Sequence, residues 1–369
     1  MKILVLEPYF GGSHKAFLDG WMGQSRHEFS LLTLPPHSWK WRMRAGAPIF
    51  ADKLKQLEDN RFDVIFCSDM LNLAEFKGLL NPDLAAIPTV VYFHENQLTY
   101  PFRFESERDY QFVLTNTTTA LAADAVWFNS AFHRDEFLYE LGKFLKRMPG
   151  NELNGAPAAI GAKCSIHPPG IDPLPVKSKR APGPARILWA ARWEHDKNPE
   201  DFFAAINILK AKGLDFRISV IGEQFKDIPE VFDSAKTEFA DTIDRWGYQE
   251  NREDYINALC ESDIFVSTAN HEFFGISVVE AIAAGAYPLL PERLSYPQII
   301  ANIETDRPGE FFYDGTVKQL ANKLYDLIKR TQDGKLWADE NIGVAAMKKF
   351  YWPTLSKTMD DAIESSATN

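Results

Sequence analysis

Short apolar runs rich in Val, Ile and Phe alternate along the first half of the chain with longer stretches of helical composition. Ile3–Leu6, Phe29–Leu34, Val64–Cys67, Thr89–Phe93 and Ala125–Phe128 are expected strands, and residues 13–24, 47–58, 107–122 and 130–141 expected helices. The pattern stops at Pro168-Pro169-Gly170-Ile171-Asp172-Pro173-Leu174-Pro175 and the basic, proline-bearing stretch 177–184, which can continue neither a helix nor a central strand. It then restarts, with strands at Ile187–Ala190, Arg217–Ile221, Ile264–Ser267 and Tyr287–Leu290 and helices at 199–212, 252–261, 276–284 and 316–330. Continuously apolar strands separated by helices predict parallel sheets covered on both faces. The expected fold is therefore α/β, with two Rossmann-like doubly wound domains facing a central cleft. The expected divisions are 1–175, 183–345 and a C-terminal helical segment 346–369.

Composition narrows the class. The 369 residues exceed the ~250–300 at which one core stops growing, and 45% hydrophobic with 25% charged residues is an ordinary globular balance. No apolar run approaches the ~20 residues of a membrane helix, and Met1–Pro8 reads as a buried strand rather than a leader. Cys67, Cys164 and Cys260 are too few and too scattered for a disulfide framework or a zinc cluster, so a cytoplasmic setting without a membrane is expected. Charge divides unevenly. Residues 1–182 hold 20 Lys+Arg and 20 Asp+Glu, leaving 20 and 31 for 183–369, so the whole net charge of −11 lies in the second half. General nucleic-acid coating is disfavoured, while a local basic patch on the neutral half is not.

Five segments carry candidate chemistry. His271-Glu272-Phe273-Phe274-Gly275-Ile276 opens a helix after a strand, with amides suited to an anion at Phe274-Gly275 and a carboxylate, Glu280, one turn inside an apolar helix. Arg192 and Lys197, five residues apart at a strand–helix junction before Pro199, suit a diphosphate. Gly11-Gly12-Ser13-His14 after the first strand allows close backbone approach, without the spacing of a dinucleotide fingerprint. His94-Glu95-Asn96-Gln97 ends the fourth strand, where active sites of open sheets collect. Finally His37-Ser38-Trp39-Lys40-Trp41-Arg42-Met43-Arg44 reads as a basic loop whose tryptophans either stack on bases or pack on the domain.

Together these segments resemble a family 4 retaining glycosyltransferase with the GT-B fold, over nearly the whole chain. The resemblance rests on Glu272 and Glu280 with seven residues between them, Ala281 and Gly285 beyond, the Arg192–Lys197 pair, Gly222-Glu223 and Pro169-Gly170-Ile171-Asp172. It implies that Glu280 holds the nucleotide ribose, that Glu272 and His94 face the sugar, and that Arg192 and Lys197 bind the diphosphate. Gly11, Gly12 and the amides at Phe274, Gly275 and Ile276 would face phosphate and sugar, with Gly222, Gly247 and Tyr248 also on the donor side. The C-terminal helix would cross back to the first domain.

The longer strings are more specific. Gly11-Gly12-Ser13-His14-Lys15, Trp39-Lys40-Trp41-Arg42, His94 to Pro101, Arg192 to Lys197 and His271 to Gly275 are similar to the tRNA-queuosine α-mannosyltransferase family. That resemblance implies transfer of mannose from GDP-mannose to the cyclopentenediol of queuosine in tRNA(Asp), with Trp39, Lys40, Trp41, Arg42, Arg44, Asn96 and Gln97 on the tRNA side. His94, Glu272, Arg192 and Lys197 would be the catalytic set. No cofactor or metal is expected, and the chain contains no Asp-x-Asp. Phe273 and Pro169 depart from the wider pattern, and Phe273 leaves the donor hexose open. The alternative is a retaining hexosyltransferase with a lipid-linked or cell-surface glycan acceptor, for which the same basic loop would serve.

Overall fold

A computed structural model describes residues 1–57, 61–149, 153–176, 182–225, 227–337 and 342–368, apart from the side chains at 105 and 368. Residues 177–181 of the expected linker lie outside the described residues. The chain forms two compact units, Met1–Gly170 with Trp352–Asn369, and Ile171–Tyr351. The divisions thus fall at Gly170/Ile171 and Tyr351/Trp352, a few residues from the expected 175–183 and 346.

The first unit is a six-stranded, all-parallel sheet in the order β2-β1-β3-β4-β5-β6. Its strands are β1 (Lys2–Glu7), β2 (Glu28–Thr33), β3 (Val64–Ser68), β4 (Thr89–Phe93), β5 (Ala125–Phe128) and β6 (Cys164–Ile166). Successive residues of each strand point to opposite faces, and both faces are apolar. Leu4, Leu6, Ile65, Cys67, Val91 and Phe93 join one core with Phe50 and Leu54 of the helix Trp39–Lys55. Ile3, Val5, Val64, Phe66, Val90 and Tyr92 join the other with Phe17 and Trp21 of the helix Gly12–Met22 and with Trp352, Met359 and Ile363 of the C-terminal helix Trp352–Thr368. The terminal helix is fixed by chemistry as well as packing: buried Asp360 accepts from Trp21 Nε1 at 2.8 Å, Ser25 Oγ at 2.6 Å and the Arg26 amide at 2.9 Å. A Cβ on Gly20 would lie 2.1 Å from the Trp352 ring, so only glycine leaves room for that indole.

The second unit is also all parallel, in the order β12-β11-β10-β7-β8-β9. It comprises β7 (Ala185–Ala190), β8 (Phe216–Ile221), β9 (Ile243–Gly247), β10 (Ile264–Val266), β11 (Tyr287–Pro291) and β12 (Phe312–Tyr313). Strand order reverses between β1 and β3 in the first unit and between β7 and β10 in the second. At such switch points the loops leaving neighbouring strands part, opening a crevice at the carboxyl ends.

The expected α/β class and its main strands are present. Strands β6, β9 and β12 and the helix Val231–Glu238 were not anticipated. One expectation is corrected: residues 39–44 are the opening turns of the helix Trp39–Lys55, not a loop. Pro48 sits inside that helix.

Candidate functional site

At the switch point of the first unit, four strand-end segments bring polar side chains together. Glu7 closes β1 and is buried; one oxygen accepts from the Tyr9 amide at 2.8 Å and Ser68 Oγ at 3.0 Å, and the other lies 3.1 Å from His14 Nδ1. Burial pulls the His14 pKa down most strongly, but the charge and hydrogen bond of Glu7, with Asp69 and Glu95, outweigh it and raise the pKa to about 9. The His14 ring stacks on His94 with centroids 3.9 Å apart. His94 is partly exposed; burial and then the charge of His14 and His133 hold its pKa well below the ordinary value. Its backbone is pinned on both sides, the amide donating to Asp69 Oδ1 at 2.9 Å and the carbonyl accepting from Asn129 Nδ2 at 2.9 Å. Glu7, His14 and His94 place three ligand-type atoms within 4.8 Å of one another. Glu7 closes on His14 at hydrogen-bond distance, forming an ion pair with His94 as its stacked neighbour.

Gly11 and Gly12 enter the first helix beside this cluster. Gly12 has φ +51°, a backbone conformation that favours glycine, and a Cβ on Gly11 would stand 2.4 Å from the Pro36 ring, leaving no space for a side chain.

Asn96 and Gln97, expected on the tRNA side, are buried. The Asn96 side chain donates to Thr99 Oγ1 and accepts from the main-chain amides of Leu98 and Thr99, while the Gln97 main-chain N–H donates to Asn116 Oδ1 and its side chain to Glu95 at 3.4 Å. These contacts hold the loop after β4. In the helix Trp39–Lys55, Trp39 packs on Phe112 with ring centroids 5.1 Å apart, whereas Trp41 is 71% exposed. Lys40 lies over the Trp39 ring, Arg42 donates to the Pro35 carbonyl at 3.0 Å, and Arg44 pairs with Asp109 at 3.0 Å.

The second switch point collects the other expected residues. Lys197 ends a short 3-10 turn, is 5% exposed, and donates to the His271 carbonyl at 2.8 Å. Its ammonium is 3.3 Å from Glu272 Oε2 and 3.0 Å from Asp196 Oδ2. Burial opposes that charge, but Glu272 and Asp196 prevail and raise the pKa. The two loops are stitched together by Thr268 Oγ1 donating to the Lys197 carbonyl at 2.8 Å and by the Asn270 amide donating to the Asp196 carbonyl at 2.7 Å. Arg192 is more open and pairs with Glu194 at 3.1 Å.

Lys197, Glu272, Ser277 and Tyr296 line one small crevice at the start of the helix Ile276–Ala283. Gly275 caps that helix with φ +94°, and no side chain caps it, so the partial positive end of the helix is left for a ligand. Glu280 is buried within the helix and held by Arg252 Nη2 at 3.0 Å and Tyr255 OH at 2.6 Å. Burial raises its pKa, and these two partners oppose the rise. Gly222 approaches so closely that a Cβ would be 1.7 Å from the Ala191 carbonyl oxygen. Gly247, at φ +88°, is paired beside Ile221, and Tyr248 after it is 58% exposed. Phe273 is buried, edge-on to His271 with centroids 4.4 Å apart.

Both units match known families. A model described as tRNA-queuosine alpha-mannosyltransferase N-terminal matches residues 2–171, and one described as Glycosyl transferases group 1 matches residues 171–341. A tRNA-queuosine alpha-mannosyltransferase of Drosophila melanogaster is 36% identical over 339 residues, covering 89% of this chain and 87% of that protein. The chain belongs to the tRNA-queuosine alpha-mannosyltransferase family.

This glycosyltransferase also matches solved structures across its length. Anabaena HepE in complex with UDP aligns at a TM-score of 0.69 and 15% identity, covering 99% of this chain and 100% of that one. Sucrose-phosphate synthase from Thermosynechococcus elongatus aligns at 0.70 and 14%, covering 99% and 98%. These likenesses show the GT-B fold. Among the transferase's described residues, no helix is long and apolar enough to cross a membrane.

The sequence alone assigns no role to Glu7, His14, Asp69, Arg252, Tyr255 or Tyr296. Glu7 is visible only as an acid closing a strand with four consecutive apolar residues, Ile3 to Leu6. Arg252 and Tyr255 carried no signal, because their role appears only when a separate helix is packed beside Glu280.

Proposed function

We propose that the transferase moves mannose from GDP-mannose to the cyclopentenediol of queuosine in tRNA(Asp), retaining the anomeric configuration and acting in the cytoplasm. The family relationship over the first unit supports the acceptor, because the matching model there is specific to this family. The observation that carries the donor side is the clustering of Lys197, Glu272 and an uncapped helix start at one switch point, with Glu280 buried one turn further on.

In this reading Arg192, Lys197 and the amides at Gly275 and Ile276 stabilise charge that develops on the departing diphosphate. The acceptor hydroxyl attacks from the face that the phosphate leaves, and its proton passes to the leaving group. Glu280 accepts from the ribose hydroxyls, and Glu272, oriented by Lys197, positions the sugar. His94 offers a neutral imidazole to a sugar hydroxyl.

The acceptor side fits an anionic, base-bearing ligand. Lys40, Arg42 and Arg44 crowd the start of a helix with no acidic residue in its first turn, an arrangement that opposes the helix dipole until an anion arrives. Exposed Trp41 beside them presents a stacking face.

The test is to incubate the protein with GDP-mannose, and separately with UDP-hexoses, plus queuosine-containing tRNA, and to weigh the digested nucleosides. A hexose increment on queuosine with GDP-mannose alone supports the reading. Transfer from a UDP-hexose would overturn the donor. Donor turnover without any increment, together with binding to lipid vesicles in preference to tRNA, would favour a lipid-linked acceptor instead.

A further inference from the structure

We propose that His14 is a positioning residue of the first-unit site: clamped as an imidazolium by Glu7, it stacks on His94, keeping that ring neutral and open to an uncharged hydroxyl of the sugar or diol. The inference rests on the reading of His94 above and adds a residue to it.

The geometry fixes the protonation states. Glu7 Oε1 accepts two hydrogen bonds, from the Tyr9 amide and the Ser68 hydroxyl, as an ionised carboxylate does. Its second oxygen faces His14 Nδ1 at 3.1 Å in a pair whose side chains are 2% and 7% exposed. A buried carboxylate without a cation is costly, so Nδ1 carries a proton and the ring carries the compensating charge. Further acids surround it: Asp69 follows β3 and Glu95 follows β4, and both raise the pKa of His14.

The neighbouring imidazole is His94, stacked at 3.9 Å and 28°. Burial already disfavours a charge on this ring, and a second charge stacked on His14 would be repelled, so the ring without a carboxylate gives up its proton. His133, on the helix Ala131–Leu145, adds to the same effect, and its own ring is held by Asn129 and Asn96. Tyr92 and Phe17 wall the remaining sides of His94, with centroids 4.6 Å and 5.2 Å away. The His94 ring itself makes no hydrogen bond among the described residues, while its main chain is tied to Asp69 and Asn129. A rigidly mounted, neutral, partly exposed imidazole with a free nitrogen is a hydroxyl-binding group.

The experiment has two arms. Histidine imidazole NMR on the unmodified protein from pH 5 to pH 10 is expected to show the His14 ring charged beyond pH 8 and the His94 ring neutral down to pH 6, assigned with His14→Gln and His94→Gln. Two rings that both titrate near the ordinary histidine value would overturn the proposal, whether or not the protein acts on queuosine. Second, Glu7→Gln removes the clamp. Transfer by the parent is expected to hold steady from pH 8 down to pH 6, where the charged His14 ring keeps His94 neutral. In the variant His14 no longer holds its charge through that range and His94 takes up a proton more readily: transfer is expected to stay within a few-fold of the parent at pH 8 and to decline several-fold more than the parent's as pH drops to 5.5, a loss that return to pH 8 recovers, while nucleoside diphosphate affinity changes less than twofold. A pH-independent loss in folded Glu7→Gln would mean Glu7 only supports the fold, and the proposal would fail. Absence of any transfer by the unmodified protein would instead defeat the functional reading and leave the NMR arm standing.

Discussion

The Tyr255 hydroxyl donates to Glu280 Oε2 at 2.6 Å while Arg252 donates to Oε1 at 3.0 Å. The two donors oppose the rise in pKa that burial imposes and aim a carboxylate inside an apolar helix before any ligand arrives. Under the ribose assignment proposed above, Glu280→Ala removes hydrogen bonds to a charged acceptor, worth about 1.5–3 kcal/mol. Isothermal titration with GDP-mannose is expected to show a Kd ten- to a hundredfold higher. Tyr255→Phe keeps the Arg252 contact and is expected to lose about 1 kcal/mol of stability with only a few-fold change in Kd. Unchanged affinity in Glu280→Ala would remove the ribose role.

Lys197 lies between two carboxylates, Asp196 and Glu272. Lys197→Met leaves both acids facing a missing partner. A fully buried pair broken this way costs about 3–5 kcal/mol, but Glu272 is 28% exposed and water screens part of that, so about 2 kcal/mol is expected from urea unfolding. The catalytic loss is expected to be larger, about a hundred- to a thousandfold in kcat, as for loss of a preorganised group that meets developing charge. A fall in stability with kcat intact would confine Lys197 to holding Glu272 in place.

How far the chain could be read before folding depends on where each signal resides. The paired faces of β1, β3 and β4 are written in consecutive apolar residues, so the parallel sheets were legible. Strand β9 was not, because Ile243–Gly247 reads Ile-Asp-Arg-Trp-Gly, with charged residues at half-exposed edge positions. Lys197, Glu272, Gly275 and Glu280 were legible because each is local to a strand–helix junction. Asn96 and Gln97 show the opposite case: polar residues after a strand look available until the Asn96 side chain is seen bonded to Thr99 and Gln97 is seen buried beside Asn116. His14 stood in plain view, but its meaning needs Glu7, Asp69 and Glu95 gathered from three strand ends.

The Glu7–His14 pair also makes stability depend on pH. The folded pKa of His14 is about 9 against an ordinary 6.5, so the folded state binds a proton more tightly than the unfolded chain. The contribution is therefore complete below pH 6.5 and is lost as pH rises through 9. At about 1.4 kcal/mol per unit the interval is worth about 3 kcal/mol. Urea midpoints measured at pH 6.5 and 9.5 are expected to fall more for the parent protein than for His14→Gln, and an equal fall in both would show that His14 does not titrate in this range.

Trp39 and Trp41 lie two residues apart on one helix and serve different ends. Trp39 packs on Phe112, and Trp41 is 71% exposed. Trp41→Ala should therefore leave stability within about 0.5 kcal/mol, as exposed substitutions do. If Trp41 stacks on an unpaired base, its loss removes about 1–3 kcal/mol of binding, expected as a roughly tenfold or greater rise in KM for tRNA with kcat and donor Kd unchanged. Trp39→Ala opens a hole beside Phe112 and is expected to lower the melting temperature as well. The pair is measured by thermal unfolding and by initial rates against tRNA concentration at two salt concentrations. Neutralising Arg42 should flatten the salt dependence that Trp41→Ala leaves intact, since the cation meets phosphate and the indole meets a base. Equal KM for tRNA in the parent and in Trp41→Ala would place the acceptor on another surface of this unit.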